Sequence, residues 1–448
     1  MIASNRERQG LQTSKLSVDA GCNLFSFSLK ECGEGERPQT KNKQLDMKNA
    51  KRVLVGICGA IFCCSAHPDR ALAQAWHKAG TVSGIWSSVA TSADGSKMFA
   101  VDSGYSGAGG SIYVSPDSGV TWSAASAPPL IWTSVAASAD GSRCIAVAYN
   151  DGIYISTNSG GTWGATGAPI LGWNACASAA DGGKLFAAAF GGAIYRSTNS
   201  GAAWELTGAP IANWYALGAS GDGTKLVAGV GGSATFPGSV GSIYVSSDSG
   251  RTWKATSAPI NNWSYVASSA DGTKLAAVVY GGRIYTSQNS GATWSPTSAP
   301  VNAWVGIASS ADGHMLVAVP EGNYVYTSAN AGSNWTASSI LNSALWAATC
   351  SADGSKLLVA EEGSNSVGGG LYLSQSTPKP ILNLRHSGDG LVVSWTVPSL
   401  SFSLQGSADL SGTNWTEVTS PTALNLANLR NEVVLSSGYS NQFFRLKN

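Results

Sequence analysis

Apolar and polar positions alternate with a period of two along residues 132–166, in short runs separated by turn residues. WTSVAAS (132–138) reads as a first strand, and Asp140-Gly141 is the kind of pair that closes a tight hairpin. CIAVAY (144–149) is a second strand, followed by a turn at Asn150-Asp151-Gly152, and IYIST (153–157) is a third. NSGG then turns into TWGAT (162–166), a fourth strand, and APILG leads on to the next Trp. Four strands this short bury their faces only against a neighbouring copy.

Copies follow. The pattern W-x7-D-G recurs as Trp86…Asp94-Gly95, Trp132…Asp140-Gly141, Trp173…Asp181-Gly182, Trp214…Asp222-Gly223, Trp263…Asp271-Gly272 and Trp304…Asp312-Gly313. Asp353-Gly354 is a seventh copy, with its Trp displaced by one place to Trp346. These aspartates are spaced by 46, 41, 41, 49, 41 and 41 residues. An octet of the type STNSGGTW (156–163) recurs at 115–122, 197–204, 246–253, 287–294 and 328–335. The pattern predicts an all-β, seven-bladed propeller over residues 74–377. The seventh unit runs through Leu371-Tyr372-Leu373-Ser374 and breaks at Thr377-Pro378 without a fourth strand. AWHKAGTVSGIW (75–86) parallels TWSAASAPPLIW (121–132), so the amino-terminal strand is expected to complete the last blade and remove the open edges.

Charged residues are only 12% of the chain, against 16 tryptophans and 54 glycines. From Gln74 onward 16 Lys and Arg face 19 Asp and Glu, a balance without the basic footprint of a nucleic-acid binder. Lys48, Lys51 and Arg52 precede an apolar stretch from Val53 to Ala66 that closes on Ala71-Leu72-Ala73. Residues 47–73 therefore read as a signal peptide cleaved near Ala73-Gln74, too short to span a membrane. Residues 1–46 show no period and are expected to be disordered or to precede a misassigned start. The expected product is an exported monomer, secreted, periplasmic or at the cell surface, without a transmembrane segment. Cys144, Cys176 and Cys350 each replace an apolar residue in a strand pattern and read as core fillers.

The octet resembles the Asp-box (BNR) repeat, S-x-D-x-G-x-x-W, of sialidases and related propellers, over residues 74–377. Asp117 and Asp248 hold its third position, and Asn158, Asn199, Asn289 and Asn330 replace the Asp elsewhere. In that family the box lies on the third-to-fourth-strand turn, on the face opposite the substrate. The resemblance thus implies a structural role for the octets and places function on the second-to-third-strand turns and the fourth-to-first-strand loops. Sialidase chemistry needs three arginines clamping a carboxylate. The propeller has four: Arg143 at the lysine position of a D-G hairpin, Arg196 in a third strand, Arg251 inside an octet and Arg283 near the candidate face. No such triad forms, and a typical sialidase is excluded.

Asp102, Glu321, Glu361 and Glu362 fall in units one, six and seven, which circular closure makes neighbours. Two such carboxylates would serve a glycoside hydrolase or a polysaccharide lyase as acid and base. With Asn323 and Asn365 they would suit Ca²⁺, although no cofactor or metal is otherwise indicated. The plainer alternative is solvated acids on Gly-rich turns. Longer loops add Tyr105 and Phe236. Trp86, Trp132, Trp173, Trp214, Trp263 and Trp304 either stack on sugar faces at the channel mouth or wedge between blades. No His falls there: His77 is in the closing strand, and His314 is read at the hairpin lysine position. Residues 378–448 alternate between turns and resemble the immunoglobulin- or fibronectin-like β-sandwich of secreted bacterial proteins, with Trp395, Leu404 and Phe444 as core. The leading expectation is a non-catalytic module that binds a glycan or protein, and the alternative is a carbohydrate-active enzyme. A third likeness, to the propeller that assembles photosystem II, lacks that family's positively charged face.

Overall fold

The computed structural model describes residues 75–104, 109–232, 240–322, 324–340, 344–363, 368–376, 382–387, 390–397, 402–407, 415–435 and 443–447. Among them every regular element is a β-strand. In the second unit, Trp132–Ala137, Cys144–Asp151, Ile153–Ser156 and Gly164–Ala165 pair antiparallel in chain order. Its second strand runs on through the turn expected at Asn150. There the ladder continues on the next unit, with Tyr149 opposite Gly172 and Asp151 opposite Leu171. The same four-strand order recurs along the chain. His77–Lys78 pairs with the strand Leu371–Gln375 in the register His77↔Leu373 and Lys78↔Tyr372, joining the start of the described chain to the last unit.

The D-G turns close into a ring. Ala93 N donates to Ala139 O, Ala139 N to Ala180 O, Ala180 N to Gly221 O, Gly221 N to Ala270 O, Ala270 N to Ala311 O, Ala311 N to Ala352 O, and Ala352 N back to Ala93 O. These distances run from 2.6 to 2.8 Å.

In five units a lysine two places after the D-G pair links one unit to the next, and Arg143 holds that position in the second. Lys97 Nζ donates to Asp140 O and to Ser159 Oγ, both at 3.0 Å, and Lys356 Nζ donates to Asp94 O (3.3 Å) and Ser118 Oγ (2.9 Å). Glycine is required beneath it: Gly141 has φ +63°, and a Cβ there would lie 2.9 Å from Lys97 Cδ. In the sixth unit Met315, not His314, takes this lysine position and packs over Gly354. His314 precedes it in the turn, where its backbone N–H and ring engage Asp312.

The octets stand on the same face, since Ser159 N donates to Ser142 O and Ser200 N to Gly183 O of their own D-G turns. Within one, Asn158 Oδ1 accepts from Ser156 Oγ and Thr162 N, both at 2.9 Å, and Ser159 and Gly160 take positive φ. Asp117 does the same with Ser115 Oγ and Thr121 N. One acceptor oxygen suffices for these two bonds, so Asn substitutes for Asp.

Acid should unpick the turns first. Burial alone raises the carboxyls of Asp94, Asp140, Asp222, Asp271 and Asp312, but hydrogen bonds from the preceding Ser hydroxyl and from the following turn residue outweigh it and hold each below 3.8. A depressed folded-state pKa gives stability that is complete above the unfolded value and is lost as pH falls through the folded one. The melting temperature is therefore expected to vary little from pH 7 to 5 and to fall below pH ~4. Differential scanning calorimetry on the wild type and on Asp312→Asn checks this, the variant showing the shallower acid limb.

The tail contributes two sheets. Asn383–Ser387, Gly390–Thr396, Arg430–Leu435 and Thr422–Asn425 form one; Thr416–Glu417, Ser403–Ser407 and Phe443–Lys447 form the other. Trp395 and Leu404 are buried, and Phe444 is half-buried. The first sheet belongs to the same compact unit as the ring, and the second forms a separate one. Within the larger unit, Val397 and Leu429 pack on the ring alanines Ala93, Ala270, Ala311 and Ala352, and a Cβ on Gly221 would meet Leu426 O. The tail turn thus covers the D-G side of the ring.

Candidate functional site

The face opposite the octets carries the second-to-third turns and the fourth-to-first loops, bridged to one another at Gly110↔Leu130, Gly192↔Ala212 and Gly241↔Asn261. One position recurs here in every unit. One residue near the end of each second strand donates its N–H to the carbonyl just before the wedge residue (a Trp, or Leu345 in the seventh unit): Ser103 to Ile85, Tyr149 to Ile131, Phe190 to Gly172, Gly231 to Asn213, Tyr280 to Asn262, Glu321 to Ala303 and Glu362 to Ala344. The backbone repeats while the side chain changes among Ser, Tyr, Phe, Gly and Glu. Gly231 is required by close packing, because a Cβ there would lie 2.2 Å from Trp263 O.

Of the four expected carboxylates, Glu321 and Glu362 hold one equivalent position on consecutive units. Glu321 Oε2 accepts from Tyr280 Oη at 2.6 Å. That bond, with burial and the charges of Glu321 and Glu362, pushes the Tyr280 phenol up to about 12. Burial, then the charge of Glu321, raises the Glu362 carboxyl. The other two are tied to backbone. Asp102 Oδ1 accepts from Ile85 N (3.0 Å) and Gly104 N (2.8 Å), and Glu361 Oε2 accepts from Gly370 N (2.8 Å) and Tyr372 Oη (3.4 Å). Arg283 is exposed and makes no ion pair among the described residues. Tyr105, Phe236, Asn323 and Asn365 lie outside the described residues. Among the described residues no group of three or more His, Cys, Asp or Glu converges as a metal site.

Of the two readings of the tryptophans, burial favours wedges between units over stacking on sugars. Trp86, Trp132, Trp173, Trp214, Trp263 and Trp304 are at most 1% exposed. Each meets a third-strand tyrosine edge-on, at centroid distances of 5.0–5.4 Å. Their faces are used in packing between units, and none is offered to a ligand. In the seventh unit Leu345 fills the wedge position and Trp346 is partly buried.

Tyr280 escaped the sequence reading although it lies 41 residues before Glu321, at the equivalent place. So did an apolar arc. Ile170, Ile211, Ile260 and Val301 occupy one position of successive A-P-[IV] loops and are 73%, 71%, 70% and 60% exposed. On the octet side, a groove of about 670 Å³ runs beside Trp253, Lys254 and Gly272, and no acidic side chain lines it. Cys144 and Cys176 are buried, and burial raises all three thiols, Cys176 and Cys350 to about 12. No described helix is long and apolar enough to cross a membrane.

No protein-family model matches the chain, and no curated protein matches it in sequence. Among solved structures, YCF48 from Cyanidioschyzon merolae is similar with a TM-score of 0.51 at 14% identity, covering 67% of this chain and 98% of that one. YCF48 bound to D1 peptide gives 0.50 at 18% identity, covering 68% and 96%. The GH74 xyloglucanase from Xanthomonas campestris gives 0.49 at 17% identity, covering 72% of this chain and 59% of that one. The first two establish the fold of this chain as a β-propeller.

Proposed function

We propose that the chain is a secreted, seven-bladed Asp-box propeller, closed by its own amino-terminal strand, that binds a protein ligand through its loop face without catalysis. Support for the blade count comes from the cycle of seven hydrogen bonds through the D-G turns. The observation that carries the function is the asymmetry of the loop face: the octet face repeats, whereas Ser103, Tyr149, Phe190, Gly231, Tyr280, Glu321 and Glu362 put five residue types on one repeated backbone. Function on a rigid scaffold concentrates where its loops depart from the repeat. Burial of the six indoles favours a protein over a glycan, because sugars stack on flat aromatic faces. The likeness in fold to a propeller held with a peptide agrees with that choice.

Panning a random dodecapeptide phage library against the chain and against Ile211→Asp/Ile260→Asp tests the reading. Enrichment is expected on the wild type alone. Both side chains are mostly exposed, so the variant should stay within about 0.5 kcal/mol of wild-type stability. Equal enrichment on both would place binding elsewhere.

One observation favours the hydrolase reading: Glu321 and Glu362 are neighbouring carboxyls in unlike environments, as an acid–base pair requires. Release of reducing ends from plant or bacterial polysaccharides that vanishes in Glu362→Gln would establish it. None is expected.

A further inference from the structure

Resting on this binding reading, we propose that the ligand is an extended protein segment with one Arg or Lys side chain. That side chain enters the channel mouth between Tyr280, Glu321 and Glu362, while its apolar neighbours lie along Ile211 and Ile260.

The charge at the mouth is unbalanced. The second-to-third turns hold Asp102, Asp151, Glu321, Glu361 and Glu362 against Arg283 alone, and the fourth-to-first loops hold no charge from Ala125 to Ile131 or at their equivalents through Ala303. Glu321 and Glu362 act on each other as like charges, and neither joins an ion pair among the described residues. The Glu362 carboxylate makes no hydrogen bond among them either. A cation between two such groups relieves their repulsion. Tyr280, its hydroxyl held on Glu321, supplies an aromatic wall that favours a cation.

Val397 and Leu429 cover the D-G side of the ring, so a ligand reaches the axis from the loop face. The arc then decides the class of ligand. Branched aliphatic groups at 60–73% exposure, repeated over consecutive units, suit the apolar side chains of a polypeptide. A free polyamine would leave them bare.

The test uses peptides recovered by panning on the full chain, each synthesised with its basic residues intact and with Arg replaced by citrulline or Lys by norleucine. Binding is read by fluorescence polarisation on the wild type, on Glu321→Gln/Glu362→Gln and on Ile211→Asp/Ile260→Asp. Gln at 321 still accepts from Tyr280, so the first variant removes charge while keeping the hydrogen bond. The enriched peptides should carry a basic residue with apolar neighbours. Neutralising that residue, or the two glutamates, should each weaken binding about tenfold or more, with little further loss when both changes are combined. Added salt should weaken the wild-type pair as well. Peptides that bind equally well when neutralised, yet are lost on the isoleucine variant, would overturn the basic anchor and leave the loop-face reading standing. Binding retained by every variant, or no enrichment together with binding of spermidine alone, would overturn both.

Discussion

Trp214→Ala destabilises the ring by about 3–5 kcal/mol, the cost of removing a fully buried indole whose surroundings cannot collapse. The side chain is 0% exposed and lies between Phe186, Ala188 and Ile194 of the third unit and Leu226 and Ala228 of its own. It meets Tyr244 edge-on at 5.3 Å and Trp253 at 6.3 Å, and its Nε1–H donates to Pro210 O at 3.1 Å. Alanine leaves a void between two units and orphans that carbonyl. Trp214→Phe keeps most of the volume and loses the hydrogen bond, so a smaller loss separates packing from bonding. Denaturant titration followed by far-ultraviolet circular dichroism reads both. A loss below about 1 kcal/mol for the alanine variant would mean that the indoles do not bear the packing between units.

Removing residues 1–79 is the second large effect. It takes away Ala79, 2% exposed, the partly buried Trp76 and the strand His77–Lys78, and it bares the edge of Leu371–Gln375. Loss of Trp76 packing alone costs about 2–3 kcal/mol, less than for a fully buried indole. The bared strand then pairs with other copies, so the truncated chain is expected to self-associate. Lys356 still bridges the last unit to the Asp94 turn, which keeps the ring near closure. A synthetic peptide of residues 74–82 should therefore restore the melting temperature and the monomer in trans, by adding the missing strand. Light scattering with thermal melts checks this. A truncated chain that stays monomeric with an unchanged melting temperature would show that closure does not depend on this strand.

Much of the scaffold was legible because its signals are local and repeated. The D-G turns, the octet turns and the parallel between residues 75–86 and 121–132 each need only a few neighbouring residues to be read. The hairpin lysine was misplaced in one unit, where Met315 holds the position and His314 precedes it. The sites were less legible. Asp102 and Glu361 stand opposite the wedge residues Trp86 and Leu345 and bind backbone N–H groups, while Glu321 and Glu362 hold the next position of the repeat on consecutive units. That offset of one place made the difference, and it is read only once the strand register is known. The tryptophans left two readings open, and burial chose packing.

What the chain determines by itself is the unit: alternation sets the strands, Asp-Gly and Ser-Gly pairs set the turns, and a constant spacing makes every unit equivalent. What the tertiary structure decided is which side chains of different units face one another. Tyr280 with Glu321, and Leu429 with the ring alanines, are separated by tens to hundreds of residues. Such meetings depend on how the ring closes and on where each loop carries its side chains. Both are settled by packing and burial summed over the whole ring, and no single segment contains that sum.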